Sequence, residues 1–186
     1  MSTQHISVFD VQARWAYGEI TDAVSSADYD GVPDIDALRA ARRAGTPFEK
    51  LSPTQRYDLA RGCFFARPML MAYLLSVSSF VLSELTRADL EAIVIPPNVW
   101  APASQGRFVP FRYFITTPAS DPNDSRNVVC SPESYKLPSE PLTIGYFYQH
   151  RVLIDGYHRA AAFWKCAPIH DRLPAYVPSS PPIGQI

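Results

Sequence analysis

Five consecutive residues late in the chain, Asp155, Gly156, Tyr157, His158 and Arg159, combine side-chain types that together handle phosphate. A guanidinium can grip phosphate through two parallel N–H donors, and an imidazole adds a further donor that becomes cationic on protonation. Asp155 beside them tolerates turn conformations, and Gly156 permits a backbone turn of positive φ. The concentration is informative, because the group lies between apolar segments that accommodate charge poorly. The same residues also suit a plain strand-to-helix junction that binds nothing, with His158 as a capping or core histidine and Arg159 as a surface residue.

The flanking residues indicate how such a group would be held. Val152, Leu153 and Ile154 form an apolar run suited to a buried strand. Ala160 to Lys165 is led by alanines and favours helix. The turn between them therefore sits at a helix N-terminus, where unpaired N–H groups and the positive end of the dipole favour an anion. Residues 142–165 as a whole read as strand, tight turn, strand, sharp turn, helix.

Pro141-Leu142-Thr143-Ile144, the hairpin, and the run from Val152 to Ala162 resemble the signature of the ParB/sulfiredoxin superfamily. Leu173-Pro174-Ala175-Tyr176-Val177 resembles its trailing strand, so the likeness spans about residues 137–178. The resemblance implies an α+β fold with a ParB/sulfiredoxin-like mixed sheet, preceded here by a mostly helical region. It implies nucleotide-phosphate contacts at Gly156, Tyr157, His158 and Arg159, and a catalytic set of Glu140, Asp155, His158 and Arg159. Mg²⁺ and ATP as substrate are implied with them. Within the superfamily, a stand-alone chain of this size is similar to plasmid-encoded proteins that inhibit conjugative transfer through a type IV secretion system. Those have ATPase and DNase activities, so the implied partners are nucleotide, DNA, and secretion components or the transferred nucleoprotein.

Two departures narrow this expectation. Tyr157 stands where the sulfiredoxin branch has its nucleophilic cysteine, which argues against sulfinic-acid reduction. The DNA-binding helices that follow the motif in chromosome-partition members are missing, which argues against site-specific partition. Glu140 abuts Pro141 at the start of the first motif strand. Strand pairing could bring its carboxylate towards Asp155, to orient water or hold Mg²⁺. Glu133 is the alternative acid, and the plain reading of Glu140 is a solvated loop residue.

With 186 residues, 47% of them apolar, the chain is expected to form one globular domain over 1–186. Within it, 1–91 should be mostly helical and 92–178 should form the sheet-bearing core. A net charge of −1 gives no overall attraction to nucleic acid, so DNA contact would need a local patch. Arg107, Arg112, Arg126, Lys136, Arg151 and Lys165 are interleaved with Phe108, Phe111, Tyr113, Tyr146, Phe147 and Tyr148. Taken singly, each aromatic is better read as an ordinary packed residue. Cys63, Cys130 and Cys166 form no Cys-x-x-Cys pair and suit a reducing compartment. The N-terminus lacks a signal-peptide pattern, so the expectation is a cytoplasmic protein, or one held at the periphery of the inner membrane. His150, His158, His170 and Cys166 match no finger spacing, and neither a nucleophile elbow nor a Walker loop occurs.

Local signals divide the remainder. Asp34 is expected to cap a helix running to Ala44, and Ser52-Pro53-Thr54-Gln55 is a capping box for a helix to about Ala66. The apolar stretch Cys63–Leu82 has bilayer-spanning length, but Pro68 interrupts it and leaves Met69–Glu84 as a buried core helix. Thr86 caps a short helix before a strand at 92–95. Arg112–Thr117 and Val128–Cys130 read as strands, the latter at an edge, and 118–127 as a mobile polar loop. Two other functions remain open: a non-catalytic protein docking through an apolar helix near 69–84, and a small-molecule kinase of the same fold.

Overall fold

The computed structural model describes residues 5–23, 25–74, 77–97, 106–119, 121–122 and 124–180. Its strands are β1 (His5–Ser7), β2 (Ser79–Leu85), β3 (Val94–Ile95), β4 (Val109–Pro110), β5 (Leu142–Phe147), β6 (His150–Asp155) and β7 (Leu173–Pro178). They form one mixed sheet in the order β1-β2-β7-β5-β6-β3-β4. β7 runs parallel to β5, and β3 parallel to β6; the other neighbours are antiparallel. The helices are α1 (Val8–Glu19), α2 (Ile35–Arg43), α3 (Pro53–Ala66), α4 (Pro68–Met71), α5 (Arg87–Glu91), α6 (Phe111–Thr116) and α7 (Tyr157–Cys166). The fold is α+β, as expected.

Alternation along the central strands builds two cores, one on each face of the sheet. Val152, Ile154 and Tyr176 pack with Trp15, Ile20, Leu59 and other residues of α1 and α3. Leu153, Ala175 and Val177 pack with Ala160, Ala161 and Phe163 of α7 and with Phe114 of α6. Thus α1 and α3 cover one face and α5, α6 and α7 the other. The capping expectations at 52 and 86 hold: Gln55 N–H donates to Ser52 Oγ at 3.2 Å while Gln55 Oε1 accepts from Ser52 N–H at 2.9 Å. Thr86 and Asp89 form the equivalent reciprocal pair. Ser7 caps α1 through the Asp10 N–H.

Several local expectations are corrected. Met69–Glu84 is not a helix: α4 ends at Met71, and Ser79–Leu85 is strand β2. Phe80 and Leu85 point inward while Leu82 is exposed, and serines at 79 and 83 favour helix weakly. β2 pairs with β7 along six residues, so ladder hydrogen bonds and the two cores reward extension there. Residues 112–116 are helical instead of extended, with Thr117 as the C-cap, because Phe111, Phe114 and Ile115 are buried at helical spacing. Val128–Cys130 joins no ladder; Lys165 and Cys166 of α7 hold it. Asp34 adopts a left-handed φ of 52° and its side chain makes no capping bond. The 118–127 segment is packed where it is described, with Asp124, Ser125 and Arg126 buried. Cys130 and Cys166 form a disulfide, so only Cys63 remains a thiol. Among the described residues, no helix is long and apolar enough to cross a membrane.

Candidate functional site

The β5–β6 hairpin and α7 deliver the predicted residues to one place. The ladder between β5 and β6 is irregular between Thr143 and Ile144, opposite the end of β6. Irregularities of this kind re-aim side chains. Asp155 ends β6, and Gly156 turns the chain into α7 with φ of 94°. A Cβ at 156 would be strained by that φ and would also collide with Leu142. Glycine is therefore required there twice over.

Arg159 is a strut as well as a charge. Its Nη1 donates to the carbonyls of Glu140 and Pro141, both at 2.8 Å, and its Nη2 donates to Asp155 Oδ2 at 2.6 Å. The guanidinium thereby clamps the start of β5 to the end of β6. Glu140 does come to the turn: its carboxylate lies 4.0 Å from Arg159 and pairs with Arg42 of α2. Arg42 in turn lies over the Tyr17 ring of α1. Tyr157 directs its hydroxyl inward to the Leu153 carbonyl at 2.6 Å, so only its main chain is left to meet an anion. Burial, reinforced by the Asp155 charge, drives its phenol well above the usual range. His158 is exposed. Glu133 does not line the cleft that Glu140 lines, and a hydrogen bond from Ser131 lowers its carboxyl pKa.

Glu140, Asp155, His158 and Arg159 all line one cleft of about 1420 Å³. The facing wall comes from α1, the end of α2 and the segment after it, including Arg14, Trp15, Glu19, Arg42 and Phe48. Asp124 and Asn127 close one side. Asp155 is desolvated there, which raises its carboxyl pKa against the lowering effect of Arg159. Glu19 is raised in the same way, chiefly by burial, although Tyr29 donates a 2.5 Å hydrogen bond to it and Arg67 lies 3.2 Å away. The Asp155 charge also raises Glu19, so carboxylates from α1 and β6 share one electrostatic environment.

The α1 wall and Asp124 are absent from the sequence-derived site. The signal for α1 was present: Arg14, Gly18 and Asp22 recur every four residues, with the apolar Trp15, Ala16, Tyr17 and Ile20 between them. Asp124 carried no comparable signal. Arg126 and Lys165, read as candidate DNA contacts, are engaged internally, with Asp124 and with the Arg126 carbonyl respectively. Among the described residues no group of three or more His, Cys, Asp or Glu side chains could hold a metal ion. A Mg²⁺ ion would have to be shared between one or two carboxylates and substrate phosphates, which is its usual mode. Comparison with protein-family models, with curated proteins and with solved structures finds no match.

Proposed function

We propose that this chain is a ParB/sulfiredoxin-like phosphohydrolase acting on nucleotide and DNA phosphates. The carrying observation is the composition of one cleft wall: a helix N-terminus without a side-chain cap, an exposed imidazole, and a desolvated carboxylate. The N–H groups of the first turn of α7 and His158 bind the anion. Arg159 holds Asp155 in place and lends positive charge to the same edge. Asp155, more basic than an ordinary carboxylate, takes a proton from water as the water oxygen bonds to phosphorus and the bridging P–O bond breaks. Glu140 is the carboxylate that would share Mg²⁺ with the substrate phosphates, where the ion would supply charge neutralisation.

The reading extends to inhibition of conjugative or T-DNA transfer through a type IV secretion system, by consumption of nucleotide or of transferred DNA. Hydrolysis of ATP and of single- and double-stranded DNA, with and without Mg²⁺, tests it. Asp155→Asn should lower turnover at least about a hundredfold with little change in nucleotide affinity, the size expected for loss of a general base. Wild-type turnover equal to that of Asp155→Asn would end the catalytic reading.

A second reading, a non-catalytic docking protein, is favoured by one observation. Tyr57, Phe64 and Phe65 of α3 and Met69 of α4 are exposed, and the Tyr57 ring lies 5.6 Å from that of the exposed Phe9 of α1. Exposed apolar patches mark partner or membrane contacts. Charged substitutions at Phe64 and Phe65 that abolish transfer inhibition while leaving hydrolysis intact would favour that reading.

A further inference from the structure

The geometry points to the α1 wall, around the bare backbone of Gly18, as the seat of the nucleoside half of a nucleotide whose phosphates lie at the α7 turn. This rests on the phosphate reading of that turn and adds the other half of the ligand. Val11, Arg14, Trp15, Gly18 and Glu19 of α1 line the cleft at the spacing of one helical face, and Asp22 lines it from the turn just after the helix.

Gly18 lies inside α1, where glycine is disfavoured relative to alanine. A side chain there would meet nothing within 4 Å. The other helix-interior glycine, Gly62 of α3, is explained by packing, since a Cβ would collide with Val32. No packing reason of that kind applies to Gly18. What its missing side chain provides is close access to the backbone from the cleft, the use glycine serves where a flat ligand approaches the main chain.

Unpartnered donors supply an independent sign. Arg14 Nε and Trp15 Nε1 are buried without a hydrogen-bond partner, and Trp15 is only 6% exposed. The indole N–H reaches no acceptor at hydrogen-bonding geometry, though it favours the Glu19 carboxylate slightly. Buried donors of this kind normally find an acceptor, from protein, water or ligand.

Charge orients the occupant. Glu19 and Asp22 put carboxylates on the α1 side, beside Arg14, and carboxylates accept hydrogen bonds from ribose hydroxyls and base amino groups. The opposite wall carries the helix N-terminus and His158. The volume, about 1420 Å³, exceeds the usual range of about 300–1,000 Å³ for small-molecule pockets. A triphosphate chain at the turn leaves the α1 end open for a sugar and base.

The test uses ATP and inorganic tripolyphosphate as probes, titrated against the wild type, Gly18→Ala and Gly18→Leu, with thermal melts of each protein alone. Gly18→Ala should keep or raise the melting temperature, since alanine favours helix, and should weaken ATP binding about tenfold. Gly18→Leu should weaken it further, and neither should change tripolyphosphate binding. Unchanged ATP affinity in Gly18→Leu would overturn the seat and leave the phosphate reading standing. Equal weakening of both probes would also overturn it, because Gly18 would then act through the turn. Wild-type binding of ATP without tripolyphosphate, with ATP lost in Gly18→Leu, would sustain the seat and remove the phosphate reading. No binding of either probe by the wild type would end both.

Discussion

At its C-terminal end α7 is tied down on all sides, whereas at its N-terminal end it opens on the cleft. Cys166 is bonded to Cys130, and Lys165 donates to the Arg126 carbonyl. Arg126 pairs with Asp124 at side-chain exposures of 4% and 2%. At the other end Gly156 supplies no side-chain cap, and the Asp155–Arg159 pair is 24% exposed on each side. The two aspartates respond oppositely. Burial works against ionised Asp124, but hydrogen bonds from the Arg126 side chain and N–H outweigh it and hold the carboxyl below its usual range. Burial of Asp155 outweighs Arg159 and raises its carboxyl. A well-coordinated carboxylate stays charged when covered; a sparsely coordinated one becomes a group that titrates. The sealed end holds the helix, and the open end is free to carry chemistry.

The largest expected effect comes from unsealing. Arg126→Ala leaves Asp124 buried without its cation and should cost about 3–5 kcal/mol in urea unfolding. A loss below about 1 kcal/mol, the level of an exposed pair, would erase the contrast. Replacing Cys130 and Cys166 by serine should cost about 2–4 kcal/mol, measured the same way, as the crosslink no longer restricts the unfolded chain. At the open end, Arg159→Ala removes three hydrogen bonds donated by a partly buried guanidinium and should cost about 1.5–3 kcal/mol. Loss of nucleotide binding should accompany it, whereas Arg126→Ala should affect binding less than stability.

The smallest effect sharpens the comparison most. Asp124 has a lowered folded pKa, so it contributes stability above its unfolded pKa that is lost as pH falls through the folded value. Asp155 has a raised folded pKa, so the native state holds its proton longer and stability declines as pH rises from the unfolded to the folded value. Asp124→Asn should flatten the acid limb of a melting-temperature profile between about pH 2 and 7, and Asp155→Asn should remove the decline on the neutral side. Slopes of the same sign for both aspartates would contradict the opposite coordination of the two ends.

The strand–turn–helix around Gly156 was legible because its signals are local: an apolar run, a glycine with no substitute, and alanines after it. The capping boxes at Ser52 and Thr86 were legible for the same reason. Ser79–Leu85 was not, since an apolar run of that length suits helix or strand, and the deciding partner, β7, lies about ninety residues away. The site was half legible. Glu140, Asp155, His158 and Arg159 sit near one another in the chain or at a hairpin base. Arg42 and Glu19 reach them only through the packing of α1 and α2, which no local pattern encodes. The backbone carbonyls that engage Arg159 could not be read from residue types.

The pairing of β2 with β7 has a consequence for the order in which the molecule assembles. It joins residues 80–85 to 173–178, and β1 reaches the sheet only through β2. Contacts so distant along the chain close late, because the loop entropy must be met before they form. The α1–α3 pair and the β5–β6 hairpin need no such closure, so each can form ahead of the sheet. The cleft wall from α1 and the wall from α7 are therefore brought into apposition by one of the last events in folding. Pulse-labelled hydrogen exchange during refolding should protect amides of α1 and α3 before those of β2 and β7, and nucleotide should bind only after the latter are protected.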